Sequence, residues 1–293
     1  MMNPTPYPDI NQLLQELLAD IQAVLGDKFV GLYLYGSLVW GDFDYQISDI
    51  DLLAALASDL DEREGEAIKQ MHAALAQRFP AWDDRIEVQY YSCLGLKTFK
   101  TQPRRMGNIS PGEPFHLIEA GNEWLMNWYF VQDYGVTLFG PPPQTLIDPL
   151  TTADFRQAVY DHVVYWRDHV RETQDSAPYQ TYAVLTLCRA LYSWRNGEQV
   201  SKDRAARWAA DQLPEWSELI HNALIWRKDP LNNPTTYPET ERFVNFIIDL
   251  IVGKAGVCVK NREGGREPPS LEKSAKVKGG QGILKRRQQM PAG

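Results

Sequence analysis

The chain has 293 residues, of which 44% are hydrophobic, and a formal net charge of −8. This length allows two domains, each with its own core. The acidic balance excludes a general duplex-DNA binder, which must neutralise phosphates with basic residues, and favours a small cationic ligand. Three cysteines without a Cys-x-x-Cys pair exclude a disulfide scaffold and a zinc framework, which indicates a reducing cytosol.

The first segments alternate between helix and strand signals. Apolar residues recur every three or four positions over residues 10–25, which predicts an amphipathic helix. An apolar run over residues 30–35 predicts a strand that ends in a turn at Gly36-Ser37. Residues 59–79 are rich in Ala, Glu and Gln and predict a second helix, which Pro80 ends.

Two carboxylates open the next apolar run, which reads Ser48-Asp49-Ile50-Asp51-Leu-Leu. Asp49 and Asp51 are two residues apart, so on a strand their side chains leave the same face. Neighbouring carboxylates repel each other unless a cation lies between them, and few hard oxygen ligands suit Mg²⁺ that carries a nucleotide phosphate. The backbone N–H groups of the Gly36-Ser37 turn are suited to bind that phosphate.

A third carboxylate lies on the strand predicted over residues 85–92. Its apolar residues alternate with Glu87, which predicts an acid on the sheet face next to Asp49 and Asp51. Further on, residues 94–114 are predicted to be a loop, and a helix is expected from Phe115 to about Asp133. Residues 135–143, with three successive prolines, are expected to be a turn-rich domain boundary.

The second half of the chain shows only helical periodicity. Helices are predicted over about 152–173, 179–195, 202–213 with 215–227, and 238–254. The expected fold class is α+β, with a small mixed sheet and flanking helices followed by an all-α helical bundle. The predicted domains are residues 1–140 and 141–259. Residues 260–293 hold nine Lys or Arg against three Glu and are predicted to be a disordered basic tail.

The motifs of the first domain resemble the DNA polymerase β-type nucleotidyltransferase superfamily. Its pattern is Gly-Ser, a spacer, Asp-x-Asp and a later acidic strand residue. The resemblance implies transfer of a nucleoside monophosphate to a hydroxyl, with Mg²⁺ bound by Asp49, Asp51 and Glu87. Glu87 would be a metal ligand, the general base, or both. Gly36, Ser37 and Ser48 would bind the nucleotide.

Two later segments narrow the resemblance to the streptomycin/spectinomycin (aminoglycoside 3″) adenylyltransferases. They are Leu-Phe-Gly-Pro-Pro at 138–142, and Leu-Thr-Leu-Cys-Arg with Ser-Lys-Asp at 185–203. The resemblance implies that Arg189 and Lys202 contact the phosphates of ATP. A triphosphate needs cations on the side away from Mg²⁺, so the two residue types suit this role. The resemblance also implies a substrate-stacking aromatic residue, for which Phe115, Trp124 and Trp128 are candidates.

The acceptor side departs from the family pattern. The antibiotic-modifying members carry an acid nine or ten residues before the arginine, where this chain has Tyr179 and Gln180, with Asp175 as the nearest carboxylate. The resemblance therefore supports the family's nucleotide chemistry for this chain more fully than it supports the family's acceptor.

We therefore expect a cytoplasmic, Mg²⁺-dependent adenylyltransferase that transfers AMP from ATP to a hydroxyl of a small cationic acceptor of the aminoglycoside kind. The alternatives are a protein or RNA hydroxyl as acceptor, or a catalytically silent regulator that senses nucleotide. No membrane association is expected, since the longest late apolar run is too short to cross a bilayer. Nucleic acid would be bound, if at all, through the basic tail.

Overall fold

The computed structural model of the protein describes residues 3–229 and 233–260, with side chains up to residue 253. It contains two compact units, the first ending at Thr151 and the second beginning at Thr152. The domain limits expected from the sequence, at 140 and 259, stay a prediction. The predicted basic tail lies outside the described residues from residue 261 onward.

The first unit is built on a six-stranded mixed sheet with the order β5-β4-β3-β2-β1-β6. Its strands are Phe29–Tyr35 (β1), Ile50–Leu56 (β2), Ile86–Ser92 (β3), Arg104–Ser110 (β4), Glu113–Ala120 (β5) and Val136–Phe139 (β6). Only the central pair β2–β3 is parallel; the other neighbours are antiparallel. A parallel pair needs a crossover, and a helix over residues 62–78 supplies it.

Two helices of the first unit begin at residues that favour the start of a helix. The helices of this unit are Pro8–Leu25 (α1), Ser37–Trp40 (α2), Glu62–Arg78 (α3), Cys93–Thr98 (α4) and Leu125–Tyr134 (α5). Proline in the first turn of α1 loses no hydrogen bond, because that N–H has no helical partner. A reciprocal capping box between Asp61 and Glu64 starts α3.

One face of the sheet is apolar, and α1 and α3 cover it. Alternate residues of β1 and β2 point to this face, among them Leu32, Leu34, Leu52 and Ala54, all fully buried. The two-residue period sends Asp51, Glu87 and other polar residues to the opposite face. The register that fills the core therefore also fixes which side chains form the site.

Three sequence predictions for the first unit are wrong. Residues 94–114 are not a loop, since they hold α4 and β4, and the helix expected from Phe115 begins only at Leu125 because β5 precedes it. The turn-rich segment 135–143 contains β6. These strands are polar or short, and they form because a neighbouring strand pairs with them, which a local pattern does not reveal.

The second unit is helical in the part that the structure describes, as predicted. Its helices are Thr152–His169 (α6), Ala177–Asn196 (α7), Lys202–Gln212 (α8), Ser217–Lys228 (α9) and Tyr237–Lys260 (α10). The α+β class with a mixed sheet followed by helices is thus confirmed. Among the described residues, no helix combines the length and apolar character needed to cross a membrane.

Candidate active site

Asp49, Asp51 and Glu87 come together at the edge of the polar sheet face. Asp49 directly precedes β2, Asp51 is its second residue, and the parallel register pairs Asp51 with Glu87 on β3. Each residue offers a carboxylate oxygen, these oxygens lie within 4.8 Å of one another, and all three residues are half-buried. Three like charges this close favour a bound cation, and hard oxygen ligands suit Mg²⁺.

Gly36 allows the approach of the Asp51 carboxylate to the turn after β1. A Cβ atom at position 36 would overlap Asp51 Oδ2, and the backbone φ of 76° also disfavours any other residue. The predicted link between the Gly-Ser turn and the Asp-x-Asp strand is therefore a direct packing contact.

Ser37 begins α2 immediately after this turn. Its Oγ atom is buried, and it has no hydrogen-bond partner among the described residues. Buried hydroxyl groups are normally paired, so an orphan beside an acidic cluster fits a group that arrives with a ligand. A phosphate oxygen would accept from this hydroxyl, so Ser37 and the three carboxylates together fit a metal-bound nucleotide.

Ser48 is occupied within the loop that delivers Asp49. Its Oγ accepts a hydrogen bond from the Asp44 N–H at 3.0 Å, and its carbonyl accepts from Arg85 Nε at 3.0 Å. Arg85 also donates to the Tyr45 carbonyl at 2.9 Å. These contacts fix the loop; the predicted nucleotide contact of Ser48 stays a prediction.

A buried polar network behind Glu87 was not found from the sequence. Gln89 Nε2 donates to Glu87 Oε1 at 3.0 Å, and Gln89 Oε1 accepts from the Tyr35 hydroxyl at 2.7 Å. Asn127 on α5 donates to the Tyr35 oxygen at 3.1 Å. Burial, followed by the charges of Glu87 and Asp51, raises the pKa of Tyr35 well above its usual range, so its hydroxyl stays neutral. A glutamine on a buried strand was the signal that could have revealed this network.

Arg189 and Lys202 lie in the second unit, on α7 and at the start of α8. Burial and, after it, the positive charges of these two residues lower the pKa of His162 to about 4, so this histidine is neutral at physiological pH. His162 Nε2 accepts from Trp166 Nε1 at 3.2 Å, and Lys202 Nζ lies 4.2 Å from the centroid of the Tyr182 ring. The contact of Arg189 and Lys202 with the phosphates of ATP stays a prediction.

The three candidate stacking residues differ in accessibility. Phe115 is 8% exposed and packs in the core with α3, while Trp128 is fully buried and stacks on Tyr91. Trp124 is half-buried and stacks on Trp128, which leaves it the most accessible of the three.

Tyr179 and Gln180, the positions where the resemblance implies an acid, both have partners within the second unit. Gln180 is fully buried, its Nε2 donates to the Thr173 carbonyl at 2.9 Å, and its Oε1 accepts from the Thr236 N–H at 2.7 Å. Tyr179 packs between Trp166 and Tyr182, with ring centroids 5.9 and 6.0 Å away. Asp175 is exposed.

Comparison with known proteins agrees with these motifs. Residues 145–249 match the family model for the C-terminal domain of aminoglycoside adenylyltransferase. An aminoglycoside (3″)(9) adenylyltransferase of Shigella flexneri is 26% identical over 86% of this chain and its own full length. A spectinomycin 9-adenylyltransferase of Staphylococcus aureus is 23% identical over 70% of this chain and 79% of that protein.

A solved structure shares the fold. The spectinomycin adenyltransferase AAD(9) of Enterococcus faecialis, crystallised with ATP and spectinomycin, matches with a TM-score of 0.65 and 18% identity over 82% of this chain and 98% of that one. The chain is therefore similar to the aminoglycoside adenylyltransferases, which its motifs resemble, and its residues 145–249 match the model of their C-terminal domain.

Proposed function

We propose that this protein is a Mg²⁺-dependent adenylyltransferase that transfers AMP from ATP to a hydroxyl of an aminoglycoside or aminocyclitol. The observation that carries the proposal is the cluster of Asp49, Asp51 and Glu87 beside the Gly36-Ser37 turn. The choice of ATP and of the acceptor class follows the relatives named above. One is named an aminoglycoside adenylyltransferase, and the solved structure contains ATP and spectinomycin.

The metal would be held by the carboxylates of Asp49, Asp51 and Glu87. When bound, Mg²⁺ neutralises phosphate charge and stabilises the attacking and leaving oxygens of the displacement. The Ser37 hydroxyl donates a hydrogen bond to a phosphate oxygen. This contact gives the buried hydroxyl the partner that the described residues do not provide.

Glu87 accepts the proton of the acceptor hydroxyl through its carboxylate. The hydroxyl oxygen then forms a bond to the α-phosphorus, and the bond from that phosphorus to the bridging oxygen breaks to release pyrophosphate. Arg189 and Lys202 bind phosphate oxygens by charge-assisted hydrogen bonds. Both residues lie within residues 145–249, which match the C-terminal domain of aminoglycoside adenylyltransferase, and this match supports the role.

Pyrophosphate release tests the proposal. The purified protein is incubated with ATP and Mg²⁺, and with spectinomycin, streptomycin or other aminoglycosides in turn. We expect release that depends on one of these acceptors and that is lost in Asp49→Asn and Asp51→Asn. The exposed Asp27→Asn is the matched control. ATP binding without release under any acceptor would overturn the proposal in favour of a nucleotide-sensing regulator.

A further inference from the structure

Gln89 is the one polar side chain of β3 that is fully buried and touches a member of the acidic cluster. We propose that it is a positioning residue, which holds the Glu87 carboxylate in the orientation that binds metal and receives the acceptor proton. The inference rests on the proposed function for its chemistry, and on contacts within the first unit for its geometry.

The orientation of the Gln89 amide follows from its partners. An ionised Glu87 can only accept hydrogen bonds, so the NH₂ group of Gln89 must face it. The same NH₂ group lies 3.3 Å from Asn108 Oδ1, a second acceptor. On the other side, Asn127 donates to the Tyr35 oxygen, which directs the Tyr35 proton to Gln89 Oε1. The contact with Glu87 therefore sets the orientation of the amide, and the contacts with Asn108 and Tyr35 agree with it.

Burial of the network disfavours any other orientation of the Gln89 amide. Gln89 is 0% exposed and Asn108 is 5% exposed, so water does not replace a lost partner. A half-satisfied polar network in such a place is costly, and the complete network therefore rigidifies the side chains that belong to it. Because Gln89 donates a hydrogen bond to Oε1, this oxygen of the Glu87 carboxylate is held in place before any ligand binds. Outer groups of this kind orient the ligands of metal sites.

Two substitutions that remove the donor beside Glu87 test the inference. Gln89→Met keeps the volume and removes both polar atoms, whereas Gln89→Glu keeps the acceptor for Tyr35 and replaces the donor beside Glu87. We expect about 10- to 100-fold weaker Mn²⁺ binding by electron paramagnetic resonance, or an equal loss of turnover, as for other residues that orient metal ligands. Unchanged Mn²⁺ affinity and turnover in both folded variants would overturn the inference.

A double-mutant cycle separates positioning from a structural role. If Gln89 acts through Glu87, adding Gln89→Met to Glu87→Gln should cause little further loss, because effects within one unit are not additive. The control is Asn11→Leu, a substitution of another buried residue of the first unit, which exchanges three hydrogen bonds with Thr5. This change should lower the unfolding temperature while its effect on turnover adds to that of Glu87→Gln. Full additivity for Gln89→Met would contradict the inference.

The crystal structure of Gln89→Met distinguishes failure of this inference from failure of the proposed function. A wild-type protein that binds neither Mn²⁺ nor ATP refutes the proposed function alone. The position of the Glu87 carboxylate in the variant then shows whether Gln89 orients it. We expect a rotated carboxylate, and an unmoved one would show that Gln89 does not position it.

Discussion

Gly36 offers a test at the scale of one residue because a second glycine with a positive φ, Gly41, lies at the other end of α2. Gly36 and Gly41 have φ values of 76° and 77°, but a Cβ at Gly36 would overlap Asp51, whereas one at Gly41 meets nothing within 4 Å. Alanine at Gly41, in the left-handed helical region, should destabilise the protein by about 1–2 kcal/mol through the backbone. Alanine at Gly36 should cost more, because its ψ of −153° gives a conformation that is essentially restricted to glycine. Only Gly36→Ala should also displace the Asp51 carboxylate and abolish Mg²⁺-ATP binding.

Calorimetry measures both effects, with thermal unfolding for the backbone cost and titration for ATP binding. Gly41→Ala serves as the control for a substitution at a positive-φ glycine that does not touch Asp51. If both variants bind Mg²⁺-ATP as tightly as the wild type, the contact between Gly36 and Asp51 has no functional consequence.

Ser37 should show a trade-off between stability and binding. Its buried hydroxyl has no hydrogen-bond partner among the described residues, so Ser37→Ala removes a desolvated polar group and should not lower the unfolding temperature. The same change should weaken ATP binding by about 1.5–3 kcal/mol, the usual contribution of a hydrogen bond to a charged group. A fall in stability with unchanged ATP affinity would show that the hydroxyl serves the fold and not the nucleotide.

At the scale of elements, the acidic cluster was predictable because its geometry depends on local rules. Residues 49 and 51 share a face by the two-residue period, and Glu87 follows at the same end of the neighbouring strand. The hairpin of β4 and β5 was not predictable in this way. The residues of these strands do not alternate clearly between polar and apolar. Gly107 on β4 leaves room for the Phe115 ring of β5, a contact that only the pairing of the two strands creates.

The network behind Glu87 was hidden for a related reason. Tyr35, Gln89, Asn108 and Asn127 come from β1, β3, β4 and α5, and only the sheet order brings them together. Nothing in the spacing of these residues along the chain predicts a contact between them. Arg189 and Lys202 came from the family resemblance, and their contact with nucleotide stays a prediction.

The contact between α3 and β3 should make the first unit sensitive to acid. His72 on α3 is buried, its Nε2 lies 2.7 Å from the Tyr90 hydroxyl, and burial lowers its pKa to about 4. The unfolded chain binds a proton near pH 6.5, so this stability is present above that pH and is lost as the pH falls toward 4. The loss should approach about 3 kcal/mol.

Urea unfolding between about pH 7 and pH 4.5 measures this effect. His72→Gln keeps a partner for Tyr90 and should flatten the pH dependence, whereas His116→Gln, on the partly exposed β5, should leave it unchanged. An equally steep loss of stability in His72→Gln would mean that other groups, such as the buried His162, dominate.

At the scale of the whole molecule, the carboxylates expected for nucleotide transfer are present, whereas the acid expected to bind a cationic acceptor is missing from its expected positions. The cluster in the first unit matches the reaction of the relatives, but Tyr179 and Gln180 stand where the resemblance implies an acid for the cationic drug. Gln180 is not available for a ligand, because its amide holds the start of α7 to Thr173 and Thr236. A cationic group without a carboxylate partner is bound poorly when desolvated. We therefore expect competent ATP chemistry with weak or absent modification of streptomycin.

Drug tolerance of a sensitive bacterium that expresses the protein tests this expectation, with streptomycin and spectinomycin measured side by side. Tyr179→Asp restores a carboxylate at a half-buried position and should raise streptomycin tolerance. Gln180→Asp is the contrasting variant, since it breaks three hydrogen bonds of a buried side chain and should lower stability without improving tolerance. High streptomycin tolerance of the wild type would instead show that another acid, with Asp175 the nearest, binds the drug. The absence of an acid at positions 179 and 180 would then carry no information about the acceptor.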